Sequence, residues 1–161
     1  MARPSGYYRH KDFQPDSVAN FPAYGQMYVS SSAATTLTAA GGAAKLSGTT
    51  TADGVHKFSM SANNRLLCGA DAVALYQVTV SCSVLSSANA IATLSIAKNG
   101  TVITSTKCTA NVLAASTPLE NIALCWVGPL ANADYIEIFG QVSADANLTL
   151  SKAQVCVHQV Y

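Results

Sequence analysis

From Val73 to Leu85 the chain reads VALYQVTVSCSVL, and Ala74, Tyr76, Val78, Val80, Cys82 and Val84 are all apolar. The intervening Gln77, Thr79, Ser81 and Ser83 are polar. An alternation of period two sustained this long predicts a β-strand with one face buried and the other wet or lightly packed. Its β-branched content agrees, and Ala72–Leu85 contains no Gly or Pro to interrupt it.

The same alternation, punctuated by turn residues, continues on both sides. Strands are predicted over Tyr24–Ser30, Thr35–Ala39 and Ala44–Ser47, the last two flanking a Gly41-Gly42 turn. Asp53-Gly54 reads as a tight turn into a strand over Val55–Met60, and Asn63-Asn64 as a bend into Arg65–Cys68. Ala90–Ala97 and Val102–Ser105 bracket Lys98-Asn99-Gly100-Thr101, whose Asn-Gly favours the positive φ pair of a type I′ hairpin. Lys107–Leu113, Glu120–Val127, Asp134–Val142 and Leu148–Val160 complete the set, with a break at Ser116-Thr117-Pro118. No stretch shows the 3.6-residue period of an amphipathic helix. Eight to ten short strands joined by turns predict an all-β, antiparallel jelly-roll sandwich spanning residues 24–161.

Residues 1–23 follow another rule. They hold three of the five prolines, Pro4, Pro15 and Pro22, and show neither period, so they predict an extended amino-terminal arm. Yet up to Tyr28 the chain spends six of its twelve aromatic residues, Tyr7, Tyr8, Phe13 and Phe21 within the arm and Tyr24 and Tyr28 just after it. Solvated tails are poor in aromatics, so this arm is expected to dock, on a partner or back on its own domain.

Composition narrows the possibilities. Charged residues make up 11% of the chain, against about 25% in ordinary soluble domains. Such a surface suits a subunit whose flanks are covered by copies of itself or by another protein. A net charge of +1 supplies no basic field for nucleic acid or anionic membrane, and no apolar run approaches the length of a membrane helix. The opening MARPSGYYRHKDF lacks the apolar core of a secretory signal, so the expectation is a chain made and used without export. Cys68, Cys82, Cys108, Cys125 and Cys156 are odd in number and lack metal-ligand spacing, so they read as reduced thiols buried in apolar strands.

Catalytic signals are weak, and the expectation is a protein that is not an enzyme. His10, His56 and His158 stand beside no nucleophile motif such as GxSxG. Asp134 and Glu137, three apart in a strand, point to opposite faces and so cannot work as an acid–base pair; Asp134 is expected to shape a turn. Trp126 or Tyr135 stacking on a sugar is the binding alternative, set against their packing in a core or interface. No loop matches a calcium or phosphate site, and no metal or cofactor is expected.

Several segments together resemble the trimeric jelly rolls of the complement-globular-head and tumour-necrosis-factor-like superfamily, especially versions in tailed-phage virion proteins. They are Tyr24-Gly25-Gln26-Met27 opening the first strand, and Ala74-Leu75-Tyr76-Gln77-Val78 as the "G-x-Y-x-v" strand with Ala74 at the Gly position. Ala97-Lys98-Asn99-Gly100-Thr101 stands as the central hairpin. Asp134-Tyr135-Ile136-Glu137-Ile138 stands as the "G-D-x-I-x-V" strand with Ala133 replacing Gly, and Leu148–Val160 as the closing strand. The resemblance implies a homotrimer, with Tyr76, Val78, Val80, Trp126, Tyr135, Ile136, Ile138 and Phe139 as candidates for core or trimer contacts. It further implies a virion structural protein, a capsid decoration (cement) protein on the outer surface of a phage head, with the major capsid protein as partner. Arg3, Tyr7, Tyr8, Arg9, Lys11, Phe13 and Phe21 would form its capsid-docking arm. The alternative within the same resemblance is the receptor- or glycan-binding tip of a tail fibre or spike.

Overall fold

A computed structural model describes residues 21–114 and 120–160. In chain order the strands are β1 (Tyr24–Ser32), β2 (Ala34–Leu37), β3 (Ala44–Lys45), β4 (Gly48–His56), β5 (Phe58–Ala62), β6 (Arg65–Cys68) and β7 (Ala74–Ser86). They continue as β8 (Ala90–Lys98), β9 (Thr101–Val102), β10 (Cys108–Val112), β11 (Glu120–Leu130), β12 (Tyr135–Val142) and β13 (Ala146–Val160). One sheet runs β11-β7-β13-β1-β4, with β2 also on β13. The other runs β10-β8-β12-β6-β5, with β3 also on β12 and β9 on β8. All these ladders are antiparallel, and the two sheets close over one apolar core. The all-β antiparallel sandwich expected from the alternation is the observed fold.

The central strand behaves as its pattern demands. Tyr76, Val78, Val80, Cys82 and Val84 of β7 are buried, while Leu75, Gln77, Thr79 and Ser81 face outward. Across the core, Leu94 and Ile96 of β8 and Ile136 and Ile138 of β12 meet them, each at most 1% exposed. Phe58 packs edge-on against Tyr76, with ring centroids 5.5 Å apart. The Asn99-Gly100 turn has φ of 53° and 76°, the positive pair of a type I′ hairpin, and Lys98 pairs with Thr101 across it.

Four expectations are corrected. Asp53-Gly54 is not a turn: both lie within β4, where two residues oppose Gln26 alone between the Gly25–Val55 and Met27–Ala52 pairs. This is a bulge, and Gly54 supplies its left-handed φ of 70°. Val55–Met60 is not one strand. His56 pairs with Tyr24 in the first sheet and Phe58 with Cys68 in the second, so the chain changes sheets at Lys57, whose φ is 58°. Val102–Ser105 is strand only to Val102, after which Thr104–Thr106 form a 3-10 turn. Buried Thr106 anchors that turn, its hydroxyl accepting the Ile96 N–H at 2.9 Å and donating to the Ile103 carbonyl at 2.8 Å. The fourth correction is Cys125, which is exposed rather than buried; Cys68 and Cys82 are buried, Cys108 and Cys156 half-buried, and all five are unpaired. Among the described residues thirteen strands form rather than the eight to ten expected, because the corner at Lys57 splits one run between β4 and β5 and the two-residue β3 and β9 stand as strands of their own.

β12 shows how the second sheet is completed where strand pairing fails. β6 pairs with Tyr135 and Ile136, and β3 with Phe139 and Gly140, leaving a gap at Ile138. The side chain of Asn64 fills it. Its Oδ1 accepts the Ile138 N–H at 3.2 Å, and its Nδ2 donates to the carbonyls of Ile138 at 3.0 Å and Leu46 at 2.8 Å. Asn64 is 1% exposed with φ of 50°, a conformation Asn tolerates better than most residues. Its own N–H donates to Thr50 Oγ1 at 2.7 Å, tying β4 of the first sheet to the same knot.

Candidate interaction face

Pairing register lines up the outward side chains of the first sheet in rows. One row reads Val127, Gln77, His158, Tyr24, His56 from β11 to β4. The next reads Cys125, Thr79, Cys156, Gln26, and the next Ala123, Ser81, Gln154, Tyr28, Thr51. Beyond them lies Asn121, Ser83, Lys152; at the other end, Pro129, Leu75, Val160. On the outward positions of β1, β7, β11 and β13, Lys152 is the single Lys, Arg, Asp or Glu. Such a face sheds water at little electrostatic cost.

Two shallow depressions mark its middle. One, of about 500 Å³, is lined by Tyr28, Ser30, Ser81, Ser83, Lys152 and Gln154. The other, of about 390 Å³, is lined by Thr79, Ser81, Ala123, Cys125, Gln154 and Cys156. Burial, only partly offset by a hydrogen bond with Thr79, pushes the Cys156 thiol up from its ordinary pKa. On the core side of the same strands, burial and then the charge of Cys108 push Cys82 up to about 12. Tyr76 is likewise pushed up to about 12 by burial and then by neighbouring Cys68. Cys82 and Tyr76 stay protonated across the physiological range, as inert core residues do.

The second sheet holds the charges the first lacks. Glu137, on the outward side of β12, is buried beneath Arg65 and Lys45, whose nitrogens lie 3.0 and 3.4 Å from its Oε1. The Arg65 guanidinium also sits 4.0 Å above the Tyr135 ring. At the β11–β12 connection Asp134 does shape a turn. Its carboxylate accepts the Ala131 N–H at 2.7 Å, Asn99 Nδ2 at 2.6 Å and Lys98 Nζ at 2.7 Å. Partial burial works against its charge, but the Ala131 N–H, Lys98 and Asn99 together outweigh it and hold the carboxyl below its ordinary pKa.

The residues singled out in sequence fall into three places. Tyr76, Val78, Val80, Ile136 and Ile138 meet in the core, and half-buried Trp126 packs against it, its ring lying over the Cα of Gly128. Tyr135 and Phe139 are half-buried on the outer side of the second sheet, away from the uncharged face. Arg3, Tyr7, Tyr8, Arg9, Lys11 and Phe13 lie outside the described residues. Phe21 is 58% exposed where the arm meets the domain. Ala23, two residues on, is already held by the sheet: Gln159 accepts its N–H at 2.9 Å and donates its own N–H to the Ala23 carbonyl at 2.8 Å. His158 points outward beside Tyr24, and His56 lies against the Tyr24 ring at 5.9 Å. No cluster of three or more His, Cys, Asp or Glu side chains among the described residues is arranged to hold a metal.

Sequence reasoning missed the plug at Asn64 and the pairing of buried Glu137 with half-exposed Arg65 and Lys45. The polar run Gln77, Thr79, Ser81, Ser83 signalled the uncharged face, but register alone shows that β1, β11 and β13 extend it.

No protein-family model and no curated protein matches the sequence. In structure the chain is similar to murine APRIL, crystallised at pH 5.0, with a TM-score of 0.60 and 8% identity over 87% of this chain and 100% of that one. It is also similar to Eiger TNF from S. frugiperda, with a TM-score of 0.57 and 9% identity over 88% of this chain and 94% of that one. The fold is a TNF-like jelly roll. At such identities the likeness is one of backbone architecture.

Proposed function

We propose that this TNF-like chain is a non-enzymatic structural protein that forms a homotrimer through the outward face of its first sheet. As a capsid decoration (cement) protein, it clamps the outer surface of an assembled phage head with its arm. The observation that carries the reading is the broad face of β1, β7, β11 and β13 with Lys152 as its single formal charge. A surface so poor in charge is suited to burial against copies of itself, and around a closed axis each copy covers its neighbour. The arm supports the second half. Arg3, Arg9 and Lys11 match an acidic lattice, and Tyr7, Tyr8 and Phe13 match apolar pockets on it. A protein that binds the assembled shell alone stabilises it by mass action, and three linked arms add avidity.

The test has two parts. Native mass at micromolar concentration should give three protomers, and Thr79→Glu, which plants a charge in the middle of the face, should give one. Full-length protein should bind purified capsids and raise their melting temperature, and charge reversal of Arg3, Arg9 and Lys11 should abolish this while leaving the mass unchanged. A monomeric wild-type chain refutes the first half. Adsorption to host cells without capsid binding would move the second half to the tip of a fibre or spike.

A further inference from the structure

Most of the large exposed apolar side chains of the first sheet are gathered at one end, with Tyr28 in the middle rows as the exception. Leu75 is 49% exposed, Val127 56%, Val160 38% and Tyr24 41%, and Val73, just before β7, is 67% exposed. Register makes them neighbours: Leu75 pairs with Val160 on one side and Pro129 on the other, while Gln77 links Val127 to His158 and so to Tyr24. Pro129, Leu75 and Val160 form one apolar row, with Val127 and Tyr24 in the next row on either side of Gln77 and His158, and apolar surface of this kind seldom stays bare on a soluble domain. The far end of the sheet, at Ser83, Asn121 and Lys152, is polar.

The arm joins the domain at this patch. Phe21 is 58% exposed three residues before Tyr24, and Ala23 is hydrogen-bonded to Gln159, the residue before Val160. From β1 to β11 is three strand spacings, about 14 Å. The eight residues from Phe13 to Phe21 can span about 26 Å when extended, so Phe13 reaches the whole patch and Tyr7 and Tyr8 reach it with slack. The arm brings aromatic surface that needs cover, and the sheet offers apolar surface beside the point of attachment.

We infer that this end of the sheet is the resting seat of the chain's own arm, with Tyr7, Tyr8 and Phe13 laid over Leu75, Val127 and Val160. The middle rows around Thr79 and Ser81 stay free for contact between copies. An external partner must then draw the arm off this seat. The inference does not depend on the capsid reading, since it concerns the protein alone.

Limited trypsin digestion of the full chain, followed by mass spectrometry, reads it directly. Cleavage after Arg9 and Lys11 should be slow in the wild type and at least about tenfold faster in Leu75→Ser/Val127→Ser, whose changes are on the surface. Tyr7→Ser/Tyr8→Ser/Phe13→Ser, with the domain untouched, should speed it equally and raise binding of an apolar dye at the bared patch. Cleavage as fast in the wild type as in either variant would overturn the inference. Protection that disappears on dilution would overturn it too, by assigning the seat to a neighbouring copy.

Discussion

Replacing Asn64 tests whether one side chain substitutes for the missing length of strand beside Ile138. Asn64→Ala leaves the buried Ile138 N–H without its acceptor and removes a donor from the Leu46 carbonyl. Stranded buried groups cost roughly 1–3 kcal/mol each, the carbonyl toward the low end. Alanine held at the observed φ of 50° adds about 1 kcal/mol. The expected loss is therefore about 3–4 kcal/mol, or roughly 10 °C in Tm for a domain of this size. Asn64→Gly loses the same hydrogen bonds but tolerates the backbone, so it should be more stable than Asn64→Ala by about 1 kcal/mol. Urea unfolding followed by Trp126 fluorescence, at one fixed protein concentration, separates the two contributions. A loss below about 1 kcal/mol for Asn64→Ala, or a glycine variant no better than the alanine one, would refute the reasoning.

Three further outcomes are expected. Ala133 has φ of 68° where the resembling strand motif carries Gly, so Ala133→Gly should raise stability by about 0.5 kcal/mol, as relief of strain exceeds the entropy glycine adds to the unfolded chain; thermal melts check it. Asp134→Asn should cost about 1 kcal/mol at pH 7. Because the folded carboxyl titrates below its ordinary value, its stabilisation is fully present above the unfolded pKa near 4 and is lost as pH falls through the folded one, so the gap between wild type and variant should hold at neutral pH and close progressively as pH falls below about 4 in melts across pH. Thiol titration of the native protein should label exposed Cys125 fastest, and Cys68 and Cys82 only on unfolding; equal rates at Cys125 and Cys82 would contradict the burial of the core thiols.

By itself the sequence determined whatever depends on near neighbours along the chain. Alternation assigned the inward residues of β7, because successive side chains of a strand must point to opposite faces. Asn99-Gly100 settled its hairpin, because few residues accept two successive positive φ values. The low charge announced that some surface would be poor in charge. The tertiary structure alone decided which residues separated in sequence share that surface: Cys125, Thr79, Cys156 and Gln26 come from four strands, and register, which no local period encodes, aligns them. It likewise decided that Val55 and Phe58 belong to different sheets, since one residue at φ 58° can turn a corner without disturbing the hydrophobic pattern. Asn64 looked like a bend residue because its partners at Leu46 and Ile138 lie 18 and 74 residues away, and only the pairing of β3 and β6 along β12 in the second sheet brings them within hydrogen-bond reach.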